Sequence, residues 1–387
     1  MCATQRLYIK PQIISGTGAL GFLERSVTGR VGIVTDAFMV RSGMIDAVIS
    51  RLDGCRVEVF SEVTPDPDVD TVLRGAKALA ALRPETVIAL GGGSPMDAAK
   101  AIVSSLRGME PERKIAFIAI PTTSGTGSEV TEYAVISDPE RGTKLPLRSE
   151  DLLPDAALLD PALTASVPPG VTADTGMDVI THGLEAYVAT GANDFSDGFA
   201  EKALSLACVW LPQAYADGTN LQAREKMHVA SCMAGMAFNA AGLGLCHGIA
   251  HAAGAALRLP HGRINAMLLP HVVEFNAGLD EGASRQKTNP VAERYGILAH
   301  RLGRDVSSLR GGVLGLTREL RRLNALLRIP ATFREAGVPP AQVAERRDMM
   351  IEAALADATT ASNPRRATGD DVGRILDLVS GRYGRRW

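Results

Sequence analysis

Between Arg30 and about Leu159, short β-branched or apolar runs alternate with amphipathic helical ones, and after Pro161 the alternation stops. Val31–Thr35, Arg56–Phe60, Thr86–Leu90 and Ile115–Ile120 read as strands. Met39–Leu52, Asp68–Leu82 and Pro95–Leu106 read as helices between them. Strands joined through helices must run parallel, so this half predicts a parallel sheet with flanking helices. Helical periodicity then runs almost to the C-terminus, with loop breaks near Ala189–Phe195, Asp217–Asn220, Asn276–Asn289 and Gly337–Pro340. The expected division is an α/β domain over residues 1–162 and an all-α domain over 163–387.

At 387 residues the chain is long enough for two cores, and 46% hydrophobic content can fill them. A net charge of −2 argues against nucleic acid or an anionic membrane as partner. Cys2, Cys55, Cys208, Cys232 and Cys246 are odd in number, and none is part of a Cys-x-x-Cys pair, which suits a reducing cytoplasm. Arg6–Lys10 before Pro11 reads as a short strand rather than a secretory signal. The apolar stretch Cys232–Leu257 carries Asn239, His247, His251 and several glycines, so it reads as a buried helix pair and not a membrane span.

In the α/β half, Gly91-Gly92-Gly93-Ser94-Pro95-Met96-Asp97 follows an expected strand and opens an expected helix. There a glycine turn lets backbone amides approach a pyrophosphate at the helix N-terminus. Ser94 as N-cap, Pro95 at the first helical position and Asp97 make the start signal. Such a turn can also be only a tight connection. A second loop, Pro121-Thr-Thr-Ser-Gly-Thr-Gly-Ser-Glu129, follows the next strand with hydroxyls at the same sheet edge and favours the dinucleotide-binding reading. The Walker pattern of ATPases is absent. Asp36 ends the first long strand, where a carboxylate can accept from ribose hydroxyls and repel a 2′-phosphate, so NAD is preferred over NADP; a solvated turn Asp would look the same.

Four of the seven histidines and one aspartate gather in the helical half. Asp178 and His182 are four apart, which on a helix puts them about 6 Å apart at Cβ. His247 and His251 repeat that step, and His261 follows. On one unbroken helix His261 would sit about 21 Å beyond His247, too far to share an ion. A break is therefore expected, with Pro260 disfavouring the α conformation at Leu259 and Gly262 letting the chain reverse. Burying these groups unpaired is costly, whereas a divalent cation satisfies several at once. Spacing does not choose among the histidines. His228, His271 and His300 lack such company and read as structural, and Cys246 reads as a small core residue.

Taken together, Gly91–Lys100, Pro121–Thr131, the Asp178–Glu185 helix, His247–His251 through Gly262, and Asn363-Pro364-Arg365 resemble the iron-containing (group III) alcohol dehydrogenases. The resemblance covers nearly the whole chain. It implies a metal held by Asp178, His182, His247 and His261, with His251 close by but unligated, catalytic on the substrate or proton-transfer side, where it or an ordered water would relay the proton. It implies cofactor contacts at Asp36, Gly92, Gly93, Ser94, Asp97, Thr122, Thr123, Thr126 and Lys144, with the nicotinamide between the domains. Tyr133 stands where many relatives have Asn. Lys144–Leu147, Asp155–Pro161, Ser166–Pro169 and Asp194–Asp197 look most like the propanol dehydrogenases of bacterial microcompartments.

The activity implied is NAD(H)-dependent interconversion of a small primary alcohol and its aldehyde, with Fe²⁺ (or Zn²⁺) as Lewis acid. Ligand chemistry alone also admits Co²⁺ or Ni²⁺. Expected partners are the alcohol or aldehyde, a second copy of the chain in a homodimer or higher homo-oligomer, and microcompartment enzymes, in the cytoplasm. Arg148 raises the alternative of an anionic aldehyde of the sulfonated or phosphonated kind. A polyol dehydrogenase or sugar-cyclising synthase of the same fold, and a non-catalytic scaffold, are the competing classes.

Overall fold

The structure is a computed structural model that describes residues 7–140, 143–279, 289–304, 306 and 308–381. Contacts divide the chain into two compact units. One comprises Tyr8–Val167 with Gly218–Asn239, and the other the described residues of Met1–Leu7, Pro168–Asp217 and Ala240–Trp387. The segment Gly218–Asn239 thus packs with the sheet, although a cut at 162/163 would put it in the helical half.

The first unit carries β1 (Gln12–Ser15), α1 (Gly21–Ser26), β2 (Arg30–Asp36), α2 (Ala37–Arg41), α3 (Met44–Ile49), β3 (Arg56–Val63), α4 (Val69–Leu82), β4 (Thr86–Gly91), α5 (Gly93–Met109), β5 (Ala116–Pro121), β6 (Tyr133–Asp138), β7 (Thr143–Arg148) and β8 (Ala156–Leu159). Six strands form one sheet in the order β1-β8-β5-β4-β2-β3, every neighbour parallel. Alternation along β4 sends Val87 and Ala89 toward α4 and α5, and Ile88 and Leu90 toward α1–α3. Each of Val87, Ile88 and Leu90, fully buried, contributes about 1.5–3 kcal/mol, and both sheet faces are covered. The strand order reverses between β2 and β4, so the chain ends of β2, β4 and β5 open at a topological switch point.

Two local expectations are corrected and one element is added. The single helix over Met39–Leu52 is two short ones, because Gly43 takes a left-handed φ of 74° between them. Leu7–Lys10 is irregular, and the first strand begins only at Gln12, after Pro11; Arg6 lies outside the described residues. A β6–β7 antiparallel hairpin, pairing Tyr133 with Arg148, was not anticipated; its signal was the inward alternation of Ala134 and Ile136.

The rest of the chain is helical: α6 (Pro169–Val188), α7 (Asp194–Ala216), α8 (Leu221–Ala241), α9 (Leu245–Leu257), α10 (His261–Asn276), α11 (Pro290–Arg301), α12 (Leu309–Leu326), α13 (Pro340–Ala356) and α14 (Gly369–Ser380). The breaks fall where Gly, Pro and Asn cluster, and residues 280–288 of the Asn276–Asn289 loop lie outside the described set. Asn193 starts α7 through a capping box with Ser196. No single helix among the described residues is long and apolar enough to cross a membrane.

Candidate metal centre and cofactor loops

Helix α6 carries Asp178 and His182 on one buried face, with side chains 7% and 6% exposed. Helix α9 carries His247 and His251. It ends at Leu257, where Arg258 turns left-handed (φ 57°), and α10 begins at His261 behind Pro260. The expected break is present, but Arg258 makes the reversal and Gly262 lies inside α10. Gly262 has another reason to be glycine: a Cβ there would stand 2.1 Å from the Asp174 carbonyl oxygen. That close approach draws the start of α10 onto α6 and brings His261 to Asp178.

Asp178 Oδ1 lies 3.5 Å from His261 Nε2 and 3.7 Å from His247 Nε2, and Asp178 Oδ2 lies 3.9 Å from His182 Nε2. Ligand atoms around one tetrahedral cation at ordinary bond lengths are about 3.4 Å apart, so these groups fit a single ion. Asp178, His247 and His261 make the tightest set, their ligand atoms all within 4.8 Å of one another. The His182 ring stacks on His247 with centroids 4.7 Å apart. The Asn265 amide Nδ2 donates to Asp178 Oδ1 at 2.8 Å and faces His261 Nε2 at 3.0 Å and His247 Nε2 at 3.3 Å. Lone pairs that converge in this way call for positive charge.

Electrostatics agree with ligation. Burial, and then the imidazoles of His182, His261 and His251, push His247 well below the usual imidazole range and keep it neutral, the form that binds metal. Its Nδ1 is held by Glu185 Oε2 at 2.5 Å, while Glu185 Oε1 accepts from the Cys246 amide at 2.6 Å. Burial raises Glu185 to about 8 against the backbone amides of Cys246, His247 and Gly244. A cation behind His247 would act in the opposite sense and favour the carboxylate. Glu185 was overlooked as a functional residue; standing three after His182 on the same helix was its signal. Cys246 is fully buried against the Asn265 carbonyl, a core residue as expected.

His251 stands apart from the tight set. Its side chain is 41% exposed, stacked on His261 at 5.1 Å, and its Nδ1 meets Asp357 Oδ2 at 2.9 Å. Burial pushes Asp357 up, but hydrogen bonds from His251 and Thr359 outweigh it and hold the acid low, so His251 Nδ1 carries the proton in that bond. Asp357, 106 residues away in sequence, was not foreseen.

In the other unit, Asp36, Gly91 and Pro121 end the adjacent strands β2, β4 and β5. Asp36 caps α2, with Oδ1 accepting from Phe38 and Met39 amides. Helix α5 starts earlier than expected: Gly92, not Ser94, is its N-cap, and no side chain caps it. Gly93 and Ser94 therefore stand in the first turn, where helical amides lack intrahelical partners and suit an anion. Gly91 needs its φ of 144°, with Pro95 packed 2.6 Å from where a Cβ would be.

The two loops touch each other: a Cβ on Gly92 would meet Thr123 Oγ1 at 3.4 Å, and one on Gly93 would meet Thr126 Cγ2 at 3.0 Å. Thr122 is buried, its amide donating to the Gly91 carbonyl. Asp97 gives both oxygens to the protein, to Ser128 Oγ at 2.9 Å and the Val135 amide at 3.0 Å, and fastens α5 to the second loop and the hairpin. One turn on, the buried Lys100 donates to the Thr131 and Tyr133 carbonyls. Lys144 on β7 pairs with Asp66 at 2.6 Å.

Residues 10–161 match the iron-containing alcohol dehydrogenase family, and residues 172–379 match the C-terminal part of the same family. The chain belongs to that family. A 1-propanol dehydrogenase PduQ of Citrobacter freundii is 44% identical, the match covering 95% of this chain and 98% of the relative. Among solved structures, a 1,3-propanediol oxidoreductase superposes with a TM-score of 0.88 at 30% identity, over 97% of this chain and all of that one. A sulfoacetaldehyde reductase of Bifidobacterium kashiwanohense, solved with NAD⁺, gives 0.85 at 27% identity over 99% of this chain and 100% of its own. The chain is therefore an oxidoreductase of alcohols and aldehydes that uses iron and NAD.

Proposed function

We propose that this enzyme interconverts a short, uncharged primary alcohol and its aldehyde, 1-propanol and propanal being the reference pair, with NAD rather than NADP. The observation that carries the reading is the convergence of Asp178, His247 and His261, with His182 stacked alongside. In the proposal these four hold the cation, which supplies a Lewis acid for a carbonyl oxygen, and NAD supplies the hydride carrier. His182 and His247 are buried, while His261 and His251 are open to solvent and leave access for a small substrate. His251, its Nδ1 held by Asp357, has Nε2 left to give or take the proton of the alcohol.

On the nucleotide side, the N-cap Gly92 and first-turn Gly93 and Ser94 of α5, with Thr122, Thr123 and Thr126, would bind the diphosphate. Asp36 would face the ribose, and Lys144 would lie toward the nicotinamide end. Asp97 serves this cradle as a strut between its two loops. The identity to a 1-propanol dehydrogenase supports the substrate. An anionic aldehyde is less favoured, because Arg148 already pairs with Glu132 at 2.5 Å and lies over the Tyr133 ring. A cytoplasmic homo-oligomer within a bacterial microcompartment completes the reading.

The test is turnover of an aldehyde panel with NADH before and after chelation. Activity should collapse when the metal is stripped and return with Fe²⁺, with propanal preferred over sulfonated aldehydes. Full turnover by metal-free protein would overturn the assignment.

A further inference from the structure

Helix α8 lays one face along the hydroxyl-bearing loop that follows β5. His228, Gly235 and Asn239 are spaced by two turns and then one, so they share that face. Asn239 Oδ1 accepts from the Glu132 amide at 2.9 Å. Gly235 and Gly127 bring the two backbones together: a Cβ on Gly235 would lie 2.8 Å from the Gly127 carbonyl oxygen, and one on Gly127 would lie 2.7 Å from Gly235 Cα. At the other end His228 Nδ1 stands 3.1 Å from Ser124 Oγ.

His228 is 1% exposed, and its Nε2 has no hydrogen-bond partner among the described residues. The hydrogen bonding of this ring is therefore spent on the loop. Burial holds the imidazole down to about 4, with the Pro121 carbonyl pulling the other way, so it stays neutral. A leucine would fill similar space without burying a polar ring, so the imidazole must return something for its desolvation. What it faces is the Pro121 carbonyl, where the loop begins, and Ser124, between Thr123 and Thr126, the two side chains that pack beside Gly92 and Gly93.

We propose that His228 is a positioning residue for NAD binding: through Ser124 it holds the Thr122–Thr126 turn in the shape that receives the cofactor's diphosphate before the cofactor arrives. This rests on the reading of the two loops as the NAD cradle. Preorganisation acts on the ligand the loop binds, so the effect belongs to NADH and not to the aldehyde.

The experiment is a fluorescence titration of the iron-loaded enzyme with NADH, with kcat and the propanal KM measured on the same preparations. His228→Leu should weaken NADH about tenfold, the worth of one lost hydrogen bond and a loosened turn, while kcat at saturating NADH and the propanal KM stay within about twofold. Ser124→Ala should do the same, and the double variant should be no worse than either. His228→Asn, whose amide reaches the Nδ1 position, should recover to within about threefold.

Additive losses in the double variant, or parental NADH affinity in His228→Leu, overturn the proposal. Should His228→Leu fail to fold, parental NADH affinity in Ser124→Ala overturns it equally. Gly93→Val, which presses on Thr126, separates the two layers. Normal NADH binding by that variant sinks the cradle reading and this proposal with it, whereas its loss beside an unaffected His228→Leu sinks only the role of His228.

Discussion

Glu185 and His247, 62 residues apart in sequence, meet at 2.5 Å in an environment that leaves each side chain no more than 3% exposed. With a cation at Nε2 the contact would set the tautomer of His247, its Nδ1–H on the carboxylate and its Nε2 lone pair toward the ion beside Asp178. Glu185→Gln keeps an acceptor for the Cys246 amide but removes the charge behind the imidazole. Iron affinity should fall about 10–100-fold, read by competition with a chelator, while far-ultraviolet circular dichroism stays unchanged.

Gly262 is where α10 meets α6. In Gly262→Ala the new methyl would stand 2.1 Å from the Asp174 carbonyl oxygen, a backbone atom that cannot swing aside. The start of α10 must move away, taking His261 from Asp178. Stability should drop by about 1–3 kcal/mol, seen in denaturant titration, and the iron content of the purified protein should drop with it. A fully loaded Gly262→Ala variant would show that the contact does not set the ligand position.

Asp36 caps α2 through Oδ1 alone. Asp36→Ser preserves an N-cap acceptor but removes the negative charge at the end of β2. On the proposal that the Asp36 charge rather than shape would exclude the 2′-phosphate, NADPH turnover should rise at least about tenfold relative to NADH with little change in melting temperature. An unchanged NADPH to NADH ratio would assign the preference to other residues.

Acid should expose His228. Its folded value, about 4, lies below the ordinary 6.5, so between those values the unfolded chain binds a proton that the folded chain refuses. The associated stability is complete above about pH 6.5 and is lost as the pH falls toward 4, by up to ~3 kcal/mol. Glu129, raised by burial to about 7, has the opposite sense and loses stability as the pH rises through that value. Because Glu129 is common to both proteins, a His228→Asn variant isolates the histidine. Its stability should decline less steeply than the parent's between pH 6.5 and 4 in chemical denaturation; identical slopes would show that burial does not hold the imidazole down.

What the sequence alone determined are the features written in local spacing. The βα alternation dictated a parallel sheet, the glycine turn after β4 dictated a helix start at its edge, and the two i,i+4 spacings put Asp178 with His182 on one face of α6 and His247 with His251 on one face of α9. Pro260 announced the break between α9 and α10. The hairpin β6–β7 and the split at Gly43 were less legible, because a two-stranded edge element and a five-residue helix carry little periodicity of their own.

Tertiary structure decided which distant groups complete each site. Asp357 reaches His251 across 106 residues and His228 reaches Ser124 across 104, distances over which periodicity carries no information. Gly262 looked like a residue for turning the chain and proved to be one for close helix contact, a distinction made only by the Asp174 carbonyl beside it. Helical geometry fixes neighbours within two turns; beyond that, packing chooses the partner.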